Sequence, residues 1–545
     1  MKLFNKALFV IAGTSVLTLT SCIEETFPEN DTATVEQIGA SASALESSVR
    51  GIPSQMCQGY LVYGDQVHET DMAYPLLMIA MTEMLGDIYP EGDDSGYDWY
   101  RNYNTFSRPY GTTSYFSFLP WFTLYKFIKT DNDVISAVDM DDESVGDDIK
   151  GLAGIAYAAR AFNYYLLTVL FQPIENIYTD CSKVKDLTVP KVTEDTDRET
   201  AKSNRRLTVA EMKEFIFSDL DIAEKALKNY TPESKLYPNL AVVYGIKAKA
   251  YLWFEDYANA AKYARMAIEE SGASPVTEAQ WDDPTTGFCV ANQAWMWYIH
   301  YDAENMGNLC NFTGWMSGEA EWSYSSYTRP SIDKSLYDKM NSTDFRHHTF
   351  LNPDRSYYAY KTCRDQKWLD EMPNYLSLKF RCKDGDFETY TVGGVVDVPV
   401  MRVEEMYFIE AEATAMAKND VSAGVNLLNS FMQTYRDPKY SCKARTLRDF
   451  QIENLTQMRI EFWGEGNAFP SAKRIKPNIV QNYEGSNAPD NTFRINCEGI
   501  KPNWNLVIPQ SETQTNQILE ETNNPDPTQT VVGPTPIGTF APAKH

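Results

Sequence analysis

The sequence predicts a mainly α-helical protein, a scaffold of paired helices interrupted by a large irregular, aromatic-rich loop insertion. Three observations carry this. Apolar residues recur at three- and four-residue steps through most of the first half. Two helix–turn–helix stretches, within residues 240–271 and 401–434, line their helices with small and aromatic residues. Between them, residues 275–400 lose helical periodicity and gather tryptophan, glycine and asparagine.

Size and charge narrow the classes. The chain has 545 residues, 43% hydrophobic and 23% charged, enough for a sizeable core and against wholesale disorder. Its net charge of -26 repels phosphate backbones and anionic lipid alike. Nucleic acid is therefore a poor partner, and membrane attachment has to come through a covalent lipid or another protein. The 34 Tyr and 11 Trp exceed what a core with few polar partners needs. Such side chains suit binding surfaces with flat apolar faces and polar rims, as well as packing between helices.

At the N-terminus, Lys2 and Lys6 precede the apolar stretch Ala7 to Leu19, too short to cross a bilayer but suited to a signal peptide. Leu19-Thr20-Ser21-Cys22 then resembles a bacterial lipobox. The expectation is cleavage after residue 21 and lipidation of Cys22. Losing residues 1–21 removes two lysines and no acid, so -26 becomes -28. Residues 22–34, opening with Ile23-Glu24-Glu25, read as a flexible acidic tether. Acidic residues directly after such a cysteine resemble the signal that sends some lipoproteins to the outer face of the outer membrane. Eight cysteines remain: Cys57, Cys181, Cys289, Cys310, Cys363, Cys382, Cys442 and Cys497. Disulfides are permitted but their pairing is not readable, and no CxxC pair suggests zinc.

Helices are predicted near Val35–Val49, Met72–Leu85, Phe116–Ser136, Ile149–Leu170, Thr208–Leu227 and Leu240–Trp253. Ala241, Tyr244, Ala248 and Tyr251 line one helix; after the Asp256-Tyr257 turn, Tyr257, Ala260, Ala264 and Ala267 line the next. This pair resembles a tetratricopeptide repeat. Met406, Ile409 and Ala413, then Val425, Leu428 and Phe431, repeat the arrangement, and residues 441–463 add another helix. One repeat scaffold with a long insertion is the natural inference. The division expected is residues 35–275 and 276–545, forming one globule. In the insertion, Trp281, Trp295, Trp297, Trp315 and Trp322 crowd together, and Val395–Val400 reads as a strand. The stretch is too aromatic to be disordered, and long irregular segments of that kind are commonly functional.

Several segments in order then resemble the SusD/RagB family across nearly the whole mature chain. They are Tyr157-Ala158-Ala159-Arg160-Ala161 with Tyr164-Tyr165-Leu166, Lys247-Ala248-Lys249-Ala250-Tyr251-Leu252, and Val400-Met401-Arg402-Val403-Glu404-Glu405-Met406-Tyr407. Arg459-Ile460-Glu461-Phe462 with Gly464-Glu465-Gly466, and Ile508-Pro509-Gln510-Ser511-Glu512 with Asn516, complete the series. Where the family often has an arginine after the second glycine, this chain has Asn467-Ala468-Phe469-Pro470, which implies altered local packing. The resemblance implies a lid-like lipoprotein seated on a SusC-like TonB-dependent transporter, capturing an oligosaccharide and presenting it to the channel. Its alternative is a peptide binder or a chiefly structural lid. It implies neither enzyme activity nor a cofactor.

A sugar ring offers one apolar face and a rim of hydroxyls, so aromatic side chains beside Asn and Asp are the candidates. Two segments fit. The loop Gly92 to Tyr103 supplies Tyr97 and Trp99 for stacking, with Asp98 and Asn102 as hydrogen-bonding partners. Residues 311–327 supply Trp315 and Trp322, with Tyr324, Tyr327, Glu319 and Glu321 nearby. Enzyme signatures are missing: there is no G-x-S-x-G and no H-E-x-x-H. Glu404, Glu405, Glu410 and Glu412 are expected to form a solvated or interface face. His347 and His348 are adjacent, so their side chains should diverge from any shared metal. Asp384-Gly385-Asp386 reads as a turn without the further ligands of a calcium loop.

Overall fold

Helix follows helix in the order the apolar spacing predicts. In the computed structural model, which describes residues 42–58, 72–91, 111–305, 311–322, 324–355, 361–489, 493–529 and 533–543, the long helices are α1 (Ala42–Gln55), α2 (Tyr74–Leu85), α3 (Tyr115–Ile135), α4 (Asp147–Phe171), α5 (Val209–Leu227), α6 (Leu240–Trp253), α7 (Tyr257–Ser271), α8 (Val403–Lys418), α9 (Val421–Tyr435), α10 (Leu447–Glu461) and α11 (Phe469–Ile475). Their starts are chemically marked. Ser114 caps α3, Asn239 caps α6, and Thr208 with Glu211 forms a capping box on α5. The first described helix continues past the predicted end at Val49. It runs through Pro53 to Gln55, and the predicted residues 35–41 lie outside the described part.

Packing explains the repeat. Each helix from α3 to α7 lies against its successor, and α8 packs on α7 although some 130 residues separate them. The scaffold then continues through α9 and α10. One superhelix is thus interrupted between Ser271 and Val403, the single scaffold with a long insertion. The described residues fold as one compact unit.

Short two-stranded ladders brace the scaffold, and two of them fasten the insertion. Strands β1 (Ile88–Glu91), β2 (Leu187–Pro190), β3 (Arg206–Thr208), β4 (Trp295–His300), β5 (Arg329–Ile332), β6 (Asp397–Arg402), β7 (Ile479–Val480) and β8 (Asn496–Cys497) pair antiparallel as β1–β5, β2–β3, β4–β6 and β7–β8. Ladder β4–β6, with Trp295 opposite Arg402 and His300 opposite Asp397, closes the base of the insertion and leads straight into α8. Ladder β1–β5 ties the insertion to the segment after α2.

One expectation is corrected here. Glu404, Glu405 and Glu412 are buried, and Glu410 is half-buried and paired with Arg265 at 2.5 Å. They form no solvated face. Helix α8 is enclosed by α6, α7, α9 and α10, so even its acidic side faces protein. A second correction concerns the tryptophans. Trp281, Trp295, Trp297, Trp315 and Trp322 are all buried; the first four join the core shared with the scaffold, where Trp297 packs edge-on against Phe162 of α4, and Trp322 sits in a small separate cluster. Among the described residues, seven cysteines carry free thiols, and all but Cys363 are buried; Cys310 lies outside them.

Candidate functional site

The motif residues meet in a buried lattice of charges. Arg402 ends β6 and Glu404 opens α8; Arg436 follows α9, and Glu461 ends α10. Gly464 and Gly466 adopt φ of +81° and +79°, a double turn that aims Glu465 inward. Arg436 donates to Glu461 from Nε and Nη2, at 2.7 and 2.8 Å, and approaches Glu404 at 3.1 Å. Arg402 donates to Glu465 at 2.8 Å and to Glu461 at 3.2 Å, and its Nη1 lies 3.0 Å from Glu404. The insertion contributes Lys379, 2.6 Å from Glu465, and Arg346, which bonds Asp344 at 2.7 Å and reaches Glu461 at 3.3 Å. Burial alone would raise the Glu461 carboxyl; Arg436, Arg402 and Arg346 outweigh it and hold it well below the ordinary range. Four cations and four carboxylates balance, which is what burial of such groups requires.

Other motif residues have similar structural employment. Arg160 grips Asp219 through two bonds of 2.8 and 2.9 Å, pinning α4 to α5. Lys249 reaches Glu405 at 2.6 Å, and Asn467, at the departure from the family pattern, donates to the same carboxylate at 3.0 Å. Asn516 donates to the carbonyls of Ala201 and Asn204.

The two aromatic segments singled out for ligand binding share one stem. In ladder β1–β5, Glu91 stands opposite Arg329. The segment of sequence holding Tyr97, Asp98, Trp99 and Asn102 follows directly after Glu91, and residues 311–327 end just before Arg329. Tyr97, Asp98, Trp99 and Asn102 themselves lie outside the described residues, as does Cys22 with the rest of the predicted signal and tether.

Trp315 sits on a short helix, Phe312–Met316, whose N-cap Asn311 accepts from the Gly314 N–H at 2.8 Å. Its ring stacks on Tyr324, centroids 4.0 Å apart and planes 3° from parallel. Trp322 packs with Ala320, Cys382, Phe387 and Tyr390. Both indoles are buried, so stacking by either would need the covering chain to move aside. Glu319 accepts from Arg381 at 2.9 Å and from Thr362, and Glu321 pairs with Arg364, whose guanidinium lies 3.9 Å over the Phe387 ring. Tyr327 differs from its neighbours: it is 60% exposed at the head of the stem. Its position after the turn Tyr324–Ser326 and before β5 is what leaves it outside, a signal that ranking by residue type passes over.

The remaining candidates behave as turns and ion pairs. Asp384 and Gly385 take φ of 57° and 70°, a tight turn. His347 packs beside Tyr337 with ring centroids 4.9 Å apart, whereas His348 turns to Asp282 at 3.2 Å, so the neighbours do diverge.

Residues 84–252 match a SusD-like family model described as starch-binding and associating with the outer membrane. Solved structures extend the likeness. A SusD-like carbohydrate binding protein from Bacteroides vulgatus ATCC 8482 superimposes with a TM-score of 0.69 at 20% identity, covering 88% of this chain and 98% of that one. A SusD superfamily protein from Bacteroides thetaiotaomicron VPI-5482 gives 0.66 at 19% identity, covering 89% and 99%. One from Parabacteroides distasonis ATCC 8503 gives 0.62 at 16%, covering 89% and 98%. No curated protein sequence matches. The fold is that of the SusD superfamily. The family model over residues 84–252 and the shared fold agree with the resemblance that the motifs carry.

Proposed function

We propose that the protein is a glycan-binding lipoprotein of the cell surface, anchored in the outer membrane through Cys22, that captures an oligosaccharide and passes it to a SusC-like TonB-dependent transporter. It acts by binding, without catalysis. The ligand site lies at the head of the β1–β5 stem, where Tyr97, Asp98, Trp99 and Asn102 would work with Tyr327, and with Trp315 and Trp322 when the rim opens. The observation that carries the reading is the register of that stem. It starts and ends the two aromatic segments at one place, so that separate parts of the chain can supply stacking rings and hydrogen-bonding groups to one sugar. The matching family's description as starch-binding and outer-membrane associated supports the substrate class and the compartment.

The test is calorimetric titration of the lipid-free chain, residues 23–545, with a panel of host and plant oligosaccharides, beside Trp99→Ala and Tyr327→Ala. Saturable binding weakened in both variants supports the site. Binding unchanged in both moves the site elsewhere, and bond cleavage during titration would overturn the non-catalytic reading.

A further inference from the structure

We propose that Glu278, Asp282 and His348 form a binding site for a divalent metal ion of the zinc class, at the rim of a cleft between the insertion and the end of α9. The three side chains offer ligating atoms that all lie within 4.8 Å of one another. His348 Nδ1 is 3.2 Å from Asp282 Oδ2 and 3.9 Å from Glu278 Oε1. Tetrahedral ligands at about 2.0–2.2 Å from zinc stand roughly 3.4 Å apart, so these spacings bracket what an ion would impose.

The donors come from two segments that the fold holds together for other reasons. Glu278 and Asp282 are four residues apart, on one side of the turn of helix Glu278–Trp281, which Thr277 and Gln280 fix with a capping box. His348 lies in the turn Phe345–Thr349. Between them, the buried Trp281 donates from Nε1 to Thr349 Oγ1 at 2.6 Å and locks one segment on the other. A site whose ligand-bearing segments are already fastened loses little freedom when an ion arrives.

Charge points the same way. The buried acids of the charge lattice have arginine or lysine partners, as do Glu405 and Glu412. Among the described residues, Glu278 and Asp282 have only His348. Even a protonated imidazole leaves one negative charge over, and Asp282 is only 8% exposed. A dication would balance both carboxylates with the imidazole neutral. One imidazole with two carboxylates favours zinc-like ions over calcium or magnesium, which prefer oxygen alone. The adjoining cleft, about 480 Å³ and lined by Glu278, His348 and Tyr435, has room for water in the remaining coordination position.

The experiment is calorimetry with zinc chloride on the untagged chain, residues 23–545, after chelator treatment, in a Cys363→Ser background that removes the exposed thiol. One equivalent is expected to bind. His348→Ala and Asp282→Asn should each weaken it at least about 100-fold, since loss of a direct ligand exceeds the 10- to 100-fold cost of losing an outer partner. His300→Ala, at a separate His–Asp pair, should leave it unchanged. Circular dichroism checks the fold of each variant, and His348→Gln serves should the alanine variant unfold. The visible spectrum of cobalt in the same site should show bands of nitrogen and oxygen ligation without thiolate charge transfer. No saturable zinc uptake, or uptake that survives both the histidine and the aspartate substitutions, overturns the proposal and leaves an ion pair alone.

Discussion

The scaffold and its insertion both bury many aromatic rings, but they do it differently. In α6 and α7, Tyr244, Tyr251, Ala260, Ala264 and Ala267 face neighbours because helical spacing places them there. In the insertion, the turns are not periodic, and rings are held by individual bonds. Trp281 donates to Thr349 at 2.6 Å, Trp297 donates to the Leu236 carbonyl at 3.1 Å, and Arg364 covers Phe387. Periodic burial distributes stability over many interchangeable contacts, whereas bonded burial concentrates it in particular partners. The charge lattice sits where the two meet, with Glu404, Arg436 and Glu461 from the scaffold side, Asp344, Arg346 and Lys379 from the insertion, and Arg402 at the end of the strand that joins them.

The harshest way to break this arrangement is at that junction. Arg436→Met leaves Glu461 and Glu404 short of a buried partner and should cost about 3–5 kcal/mol in urea unfolding. Lys129→Ala removes an exposed pair with Asp133 and should cost less than about 0.5 kcal/mol. Similar costs for the two would show that the lattice is more hydrated than its burial suggests. The same lattice sets an acid limit. Because Glu461 titrates below its ordinary 4.5, its stabilisation is complete above that value and is lost as pH falls through the lower folded value. Glu461→Gln should therefore lower stability at neutral pH and flatten its decline in acid, followed by unfolding at stepped pH.

Next in size is a pair of substitutions that separates packing from binding. Trp315→Ala removes a buried, stacked ring and should cost about 3–5 kcal/mol. Tyr327→Ala should change stability by no more than about 0.5 kcal/mol, while weakening glycan binding roughly tenfold. If Tyr327→Ala proves as destabilising as Trp315→Ala, the exposed ring is a structural one and the rim of the stem loses its candidate. In the scaffold, Gly424→Ala should cost about 1–3 kcal/mol, because an added Cβ would stand 2.4 Å from the Phe450 ring and 2.7 Å from Ala415 Cβ. A neutral result in thermal unfolding would show that α8, α9 and α10 can spread apart.

These differences also explain what was legible in the sequence. The limits of α6 and the order of the scaffold helices follow from apolar spacing and capping residues, which are local. The interruption between Ser271 and Val403 shows as lost periodicity. The burial of Glu404, Glu405 and Glu412 was not legible, because it depends on Arg402, Arg436, Lys249 and Arg474 arriving from distant segments. The site was half legible. Residue type marks aromatic segments, but only the β1–β5 register brings their ends together, and only the fold separates the covered Trp315 from the exposed Tyr327.

The smallest expected effect is at the base of the insertion, where His300 and Asp397 face each other across β4–β6 with Nδ1 and Oδ1 2.6 Å apart. The hydrogen bond to Asp397 raises the imidazole above its ordinary 6.5, against some desolvation. A raised folded value means that the contribution is complete below 6.5 and is lost as pH rises through the folded value. The imidazole is 42% exposed, so solvent screens the pair, and Asp397 keeps the Ala291 N–H at 2.8 Å when the histidine is removed. His300→Ala should therefore cost only a few tenths of a kcal/mol in mildly acidic buffer and nothing measurable in alkaline buffer. A cost that persists in alkaline buffer would mean that the ring acts through packing on the ladder. The base of the insertion would then depend on that contact in the way its interior depends on Trp281, and the contrast between periodic and bonded burial would extend into the strand pair that joins them.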